Sequence, residues 1–108
     1  MNLPTEIFGD VVVVHTPDDL GGDSANDLAS VLACLDRRNV VLDLDSTESL
    51  GSGGLAAFLD AQERLRALGG DVKIATGNAT NRKILEITRT DRLLEVFDSV
   101  IDAVKSYQ

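Results

Sequence analysis

Val40-Val41-Leu42-Asp43-Leu44-Asp45-Ser46-Thr47-Glu48-Ser49-Leu50-Gly51-Ser52-Gly53-Gly54-Leu55 passes from an apolar run through a polar bend into a glycine turn. The run Val40–Leu44 predicts a strand buried on both faces. An amphipathic helix is expected to begin near Leu55, with Leu55, Phe58, Leu59, Leu65 and Leu68 as its apolar stripe. Gly51, Gly53 and Gly54 let the backbone turn sharply and let another molecule approach closely. Ser52 is the one hydroxyl among them and falls where a helix N-cap is expected. The free N–H groups and positive dipole end of that helix would then face the turn and could stabilise an anion. An ordinary cap and turn is the simpler reading of the same residues.

Working upstream, Glu6-Ile7-Phe8 and Val11-Val12-Val13-Val14 read as two strands joined by a tight Gly9-Asp10 turn. Thr16 to Gly22 contains Pro17 and a glycine pair and reads as a loop. A first helix is expected from Asp23 or Ser24, with Ala25, Leu28, Ala29, Leu32 and Leu35 on one apolar face. Working downstream, Gly69-Gly70 stops the second helix, and Val72-Lys73-Ile74-Ala75 is a short strand. Asn78 or Thr80 would cap a third helix carrying Ile84, Leu85 and Ile87, which Thr90-Asp91-Arg92 breaks. Leu93 to Phe97 fits either a helical turn or a short strand. Asp98 or Ser99 would cap a last helix, Val100 to Lys105, with Ile101 and Val104 inward. Strands alternating with helices imply parallel neighbours joined by right-handed crossovers, and the opening hairpin adds an antiparallel edge. A small α/β domain with a mixed sheet follows.

The chain has 108 residues, enough for a single domain spanning 1–108. No apolar run approaches a membrane span, so no direct membrane insertion is expected. The start Met1-Asn2-Leu3-Pro4-Thr5-Glu6 lacks the basic and apolar segments of a signal peptide. The single Cys34 can form no internal disulfide, and a cytoplasmic location is expected. The net charge of −8 argues against nucleic acid and anionic membrane surfaces as partners. It suits a basic protein partner, although an acidic surface also serves solubility.

The residues for catalysis are sparse. His15 is the only histidine, stands at a strand end, and reads as structural or solvated. Ser52 lacks the G-x-S-x-G frame of a hydrolase elbow, because Leu50 stands two positions before it. One His and one Cys make no zinc site, and Asp43, Asp45 and Glu48 follow no metal-ligand rhythm. Asp18-Asp19 reads as a solvated pair in a loop. Gly51 to Ala56 matches G-x-G-x-x-A formally, yet it does not follow its strand directly and no acidic residue ends the next strand. No catalytic residue, metal or cofactor is expected. A nucleotide binder using the turn as a phosphate cradle is the alternative class.

The combination of V-V-L-D-L, a polar bend, the glycine turn, V-K-I-A, Arg82-Lys83-Ile84-Leu85-Glu86-Ile87-Thr88 and Leu93-Leu94-Glu95-Val96-Phe97 resembles the STAS domain of bacterial anti-sigma factor antagonists. The resemblance covers Val11 to the C-terminus. It implies a mixed sheet of four to five strands with about four helices packed mainly on one face. It also implies a protein that binds an anti-sigma factor, an ATP-using serine protein kinase, and so releases a sigma factor. That kinase phosphorylates a serine at the start of the helix after a D-S-S-G turn, and a phosphatase reverses the reaction. Aligned on Gly54-Leu55, the family aspartate falls on Gly51, the first serine on Ser52, and the second, the usual acceptor, on Gly53.

Two readings therefore stand. Either Ser52 is the acceptor, or the switch is lost and the domain is a constitutive binder: a scaffold subunit of a stress-signalling assembly or of a lipid transporter. Both place partner binding at Leu50, Gly51, Ser52, Gly53 and Gly54, with Asp19 in the neighbouring loop, and both admit a homodimer. A phosphoryl group adds about −1.5 to −2 charge near neutral pH. A resulting shift of about 3 kcal/mol changes affinity more than a hundredfold.

Overall fold

The computed structural model describes residues 3–21 and 23–107; Gly22, the end of the expected loop, lies outside the described residues. The opening hairpin forms as expected. β1 (Thr5–Phe8) pairs antiparallel with β2 (Val11–His15), and Gly9 takes the left-handed conformation at the turn. β4 (Asn39–Asp43) lies parallel beside β2, β6 (Asp71–Ala75) parallel beside β4, and β7 (Val96–Phe97) parallel beside β6. The main sheet thus runs β1-β2-β4-β6-β7. Leu93 to Phe97, left open between helix and strand, resolves into a buried Leu94 and the short strand β7, preceded by a 3-10 turn at Thr90–Arg92.

Side chains alternate along these strands and feed two separate cores. Val12, Val14, Val40, Leu42, Val72 and Ile74 meet α1 (Asp23–Ala33), α2 (Ser52–Ala67) and α3 (Ala79–Ile87) on one face. Val11, Val13, Val41 and Ala75 meet α4 (Val100–Lys105) on the other, through Ala103 and Val104. The valine and leucine side chains of β2 and β4 are almost fully removed from water, a gain of about 1.5–3 kcal/mol each. Three helices on one face and one on the other is the arrangement the resemblance implies.

The helix boundaries follow capping chemistry. Asn78 Oδ1 accepts from the backbone N–H of Thr80 and Asn81, and Ser99 Oγ accepts from Asp102 N–H. α2 ends where Gly69 turns left-handed and Gly70 N–H returns to Leu65 O at 2.8 Å. Three expectations about facing are corrected: Ala29 of α1, Leu68 and Ile101 are exposed, the last at 64%. Leu68 lies beyond the last turn of α2, and the inward face of α4 is taken by Ala103 and Val104 instead.

Two short segments were not legible as strands. β3 (Asp19–Leu20) and β5 (Ser49–Leu50) form a separate two-stranded parallel ribbon, pairing Asp19 with Ser49 and Leu20 with Leu50. The ribbon stands at the carboxyl end of the sheet, where the polar bend and the glycine turn lie.

Candidate functional site

α2 starts three residues earlier than expected. Its N-cap is Gly51, with extended backbone angles, and Ser52 is the first helical residue. Ser52 therefore does not cap the helix, and this corrects the expectation. Glycine is itself an acceptable N-cap, so the turn works without a side-chain hydroxyl. The first intrahelical bond is Leu55 N–H to Gly51 O at 3.2 Å, which leaves the N–H groups of Ser52, Gly53 and Gly54 without helical partners. Ser52 is exposed, as the resemblance to a modified turn requires.

The glycines have different duties. A Cβ on Gly54 would lie 3.0 Å from both Leu20 Cβ and Leu20 O, so this glycine lets α2 sit directly on β3. A Cβ on Gly53 would lie 3.3 Å from Ala25 Cβ on α1. Gly51 N–H donates to Leu20 O at 3.2 Å, which ties the N-cap to the ribbon. Of the six residues expected to meet a partner, Asp19, Ser52 and Gly53 are exposed and Gly51 is half-buried. Leu50 and Gly54 are buried, Leu50 in the main core and Gly54 against Leu20. Their contribution is to seat the turn rather than to face outward.

The ribbon brings Asp18, Asp19, Glu48 and Ser49 beside the turn. Asp18 O accepts from both Glu48 N–H at 2.8 Å and Ser49 N–H at 3.0 Å. Asp18, Asp19, Glu48 and the α1 residue Asp23 are all exposed. None of the ion pairs among the described residues involves them. The sequence carries a signal for this: residues 1–36 and 39–63 contain no Lys or Arg. The rim of the turn is therefore acidic, and the chain's eight other cations lie from Arg64 onward.

Buried hydroxyl and amide groups missed by the sequence reading support the ribbon from beneath. Thr16 and Thr47 are buried, and their hydroxyls are 2.5 Å apart. Asn81 is fully buried in α3 and donates to Leu44 O and Thr47 O. Asp45, in the same bend, accepts from Gly77 N–H at 2.7 Å. Polar residues in a connection or in the first turn of a helix read as solvated, so only their proximity in the fold reveals them.

His15 is structural, as expected from its position. Its Nδ1 lies 2.7 Å from Asp43 Oδ2 and its Nε2 lies 2.6 Å from Glu6 Oε1. Partial burial pulls its pKa down. The hydrogen bonds and charges of Glu6 and Asp43 outweigh that and raise it above 6.5. The group links the edge strand β1 to β4, away from Ser52 in the chain and outside the ribbon. Among the described residues no cluster of His, Cys, Asp and Glu is arranged to hold a metal ion, and no helix is long and apolar enough to cross a membrane.

Comparison with known proteins places this geometry in context. Residues 2–103 match the STAS domain. Over 69 residues, 64% of this chain, the sequence is 25% identical to a Thermotoga neapolitana protein named as a TM1081 homolog in the class of anti-sigma factor antagonists. The aligned segment spans 61% of that relative's length. An anti-sigma factor antagonist of Mycobacterium paratuberculosis superposes with a TM-score of 0.87 at 21% identity, covering 97% of this chain and 92% of that one. The Bacillus cell fate determinant SpoIIAA, solved in its phosphorylated form, superposes with a TM-score of 0.74 at 12% identity, covering 99% of this chain and 100% of that one. At these identities the two structures establish a shared fold.

Proposed function

The chain belongs to the STAS domain family, and from that premise we propose that it is a regulatory docking module acting by binding, in the manner of an anti-sigma factor antagonist. Its partner is an anti-sigma factor of the ATP-using serine-kinase type, and occupying that partner frees a sigma factor. The observation that carries this reading is the exposed Ser52-Gly53 step at the first turn of α2. The name of the Thermotoga relative supports the class of partner. The acidic rim of Asp18, Asp19, Asp23 and Glu48 favours a partner face rich in Lys or Arg, because opposite potentials steer association and suppress wrong partners.

Ser52 is the modifiable group of this surface. A phosphate there would be received by the free N–H groups of the first helical turn. It would also add bulk and about −1.5 to −2 charge to an already acidic rim. A partner chosen for its fit to the unmodified turn would be expelled without any refolding of the domain. A second reading, a constitutive scaffold, is favoured by one observation. The position aligned with the usual acceptor is Gly53, and a side chain there would press on Ala25.

Both readings use the same face, and one experiment tests them. Tagged parent and Ser52→Trp proteins are used to capture partners from the source cell, with mass spectrometry of both partner and bait. The parent is expected to retain an ATP-binding kinase-like protein, with retention falling as salt rises, and Ser52→Trp to lose it. Phosphate on Ser52 in the unbound bait separates the switch from the scaffold. Equal retention by Ser52→Trp would overturn the assignment of the face.

A further inference from the structure

Thr47 has no exposed surface, although it lies in a polar connection of the kind that usually faces water. Every polar atom it carries is engaged. Its N–H donates to Leu44 O at 3.0 Å, and its carbonyl accepts from Asn81 Nδ2 at 2.8 Å. Its hydroxyl donates to Pro17 O at 2.6 Å. A hydroxyl has one proton, so the Thr47 oxygen must be the acceptor in its 2.5 Å contact with Thr16 Oγ1. The Thr16 hydroxyl also lies 3.0 Å from Asp43 O, but that carbonyl is already served by Thr16 N–H at 3.1 Å, so the hydroxyl's one hydrogen can go to Thr47.

The partners of Thr47 come from three segments: Leu44 just after β4, Thr16 and Pro17 in the connection after β2, and Asn81 on α3. Pro17 immediately precedes Asp18, whose carbonyl holds Glu48 and Ser49 and so opens the β3–β5 pairing. Thr16 extends from the end of β2. Asn81 is on α3, and its two donations fix Leu44 and Thr47 together. Asn81 Oδ1 has no hydrogen-bond partner within the described protein. Burying an unpaired acceptor is unfavourable, so the side chain is held for what its amide donates. Two residues beyond Thr47 begins β5, and β5 leads directly into the Gly51 cap and Ser52.

We propose that Thr47 is the positioning residue of the docking face: it sets where the β3–β5 ribbon, and with it the start of α2, stands on the sheet. The proposal rests on the docking reading for its functional meaning, but its physical content concerns the free protein. The ribbon has only two residues per strand and a handful of backbone bonds. Such a short pair has little stability of its own. Thr47 supplies a fixed point that does not depend on the length of the ribbon.

The test is amide hydrogen exchange on the full chain. In Thr47→Val the branched shape is kept and the hydroxyl is lost. Exchange at Glu48, Ser49 and Gly51 is expected to quicken by about tenfold or more, while Val41 and Ile74 in the central strands stay unchanged. Thr47→Ser is expected to return the ribbon amides to the parent rates. Equal acceleration in ribbon and central strands, or none in either, would overturn the proposal. Should Thr47→Val fail to fold, Thr16→Val removes the Thr16 hydroxyl's contacts with Thr47 and with Asp43 O and leaves Thr47's own donation to Pro17 O in place. The same local pattern is then expected, and a uniform change overturns the proposal equally. Local acceleration without loss of the captured kinase would support Thr47 as the anchor and count against the docking reading instead.

Discussion

Gly53 and Gly54 offer a controlled test of how tightly the start of α2 is seated. Gly53→Ala and Gly54→Ala make the same chemical change at adjacent positions in the same helical turn. Each gains about 1 kcal/mol or less in helix propensity, so that gain nearly cancels between them. The contacts do not cancel. The new Cβ at Gly54 would be 3.0 Å from Leu20 Cβ and from Leu20 O, against an ordinary carbon separation of about 3.5–4.0 Å. Leu20 O cannot retreat freely because it accepts from Gly51 N–H. The new Cβ at Gly53 would be 3.3 Å from a single methyl group of Ala25, and a shift of a few tenths of an ångström relieves it. Overpacking of the first kind costs about 1–3 kcal/mol. Gly54→Ala is therefore expected to be less stable than Gly53→Ala by about that amount. In a thermal scan each kcal/mol appears as about 4–8 °C for a domain near this size. Urea unfolding of both variants, read at the midpoint with unchanged m, measures the difference. Equal midpoints, or a more stable Gly54→Ala, would refute the reasoning that β3 and α2 are in direct contact.

Three further outcomes are expected. Because the pKa of His15 is raised in the fold, the folded state holds its proton more tightly than the unfolded chain. The stability it contributes is full below the unfolded value near 6.5 and is lost as pH rises through the folded value; His15→Gln should remove that dependence, and an imidazole midpoint below 6.5 by NMR would contradict it. Asn78→Ala should cost about 1 kcal/mol in a urea titration, since two N–H groups of α3 lose their shared acceptor. Gly70→Ala should lower stability far more than any other glycine substitution here, because its Cβ would fall 2.0 Å from the Arg38 carbonyl oxygen, far inside contact distance; a variant unfolding with the parent in the same thermal scan would contradict this.

Much of the fold could be read from periodicity. The valine run of β2 and the Val40–Leu44 run gave buried parallel strands, and short polar side chains before apolar helical spacing narrowed the caps to Asn78 or Thr80 and to Asp98 or Ser99, of which the structure uses Asn78 and Ser99. The membership implied by Arg82 to Phe97 and the glycine turn is borne out by the match over residues 2–103. The β3–β5 ribbon was not legible, since two residues per strand carry no period. The Ser52 cap was misplaced by one position because Gly51 and Ser52 are both good N-caps, and only the backbone angles separate them. The burial of Thr16 and Thr47 was hidden because Thr in a connection ordinarily faces water, and that of Asn81 because a polar side chain in the first turn of a helix ordinarily does too. Ile101 was placed inward because a six-residue helix is too short for its apolar spacing to fix which side faces the sheet. The exposure of Ser52 and of Asp18-Asp19 followed from pattern, whereas the gathering of Asp18, Asp19, Asp23 and Glu48 into one rim needed the ribbon, and the inward packing of Leu50 and Gly54 needed the position of Leu20.

The most direct measurement is amide chemical-shift mapping of the labelled domain as the captured partner is added. Asp19, Glu48, Ser49, Ser52 and Gly53 are expected to shift or broaden together, with Asp10, Arg37 and Gly69 unmoved. Shifts gathered around Asp10, Arg37 and Gly69, with the Ser52 turn silent, would contradict the assignment of this face.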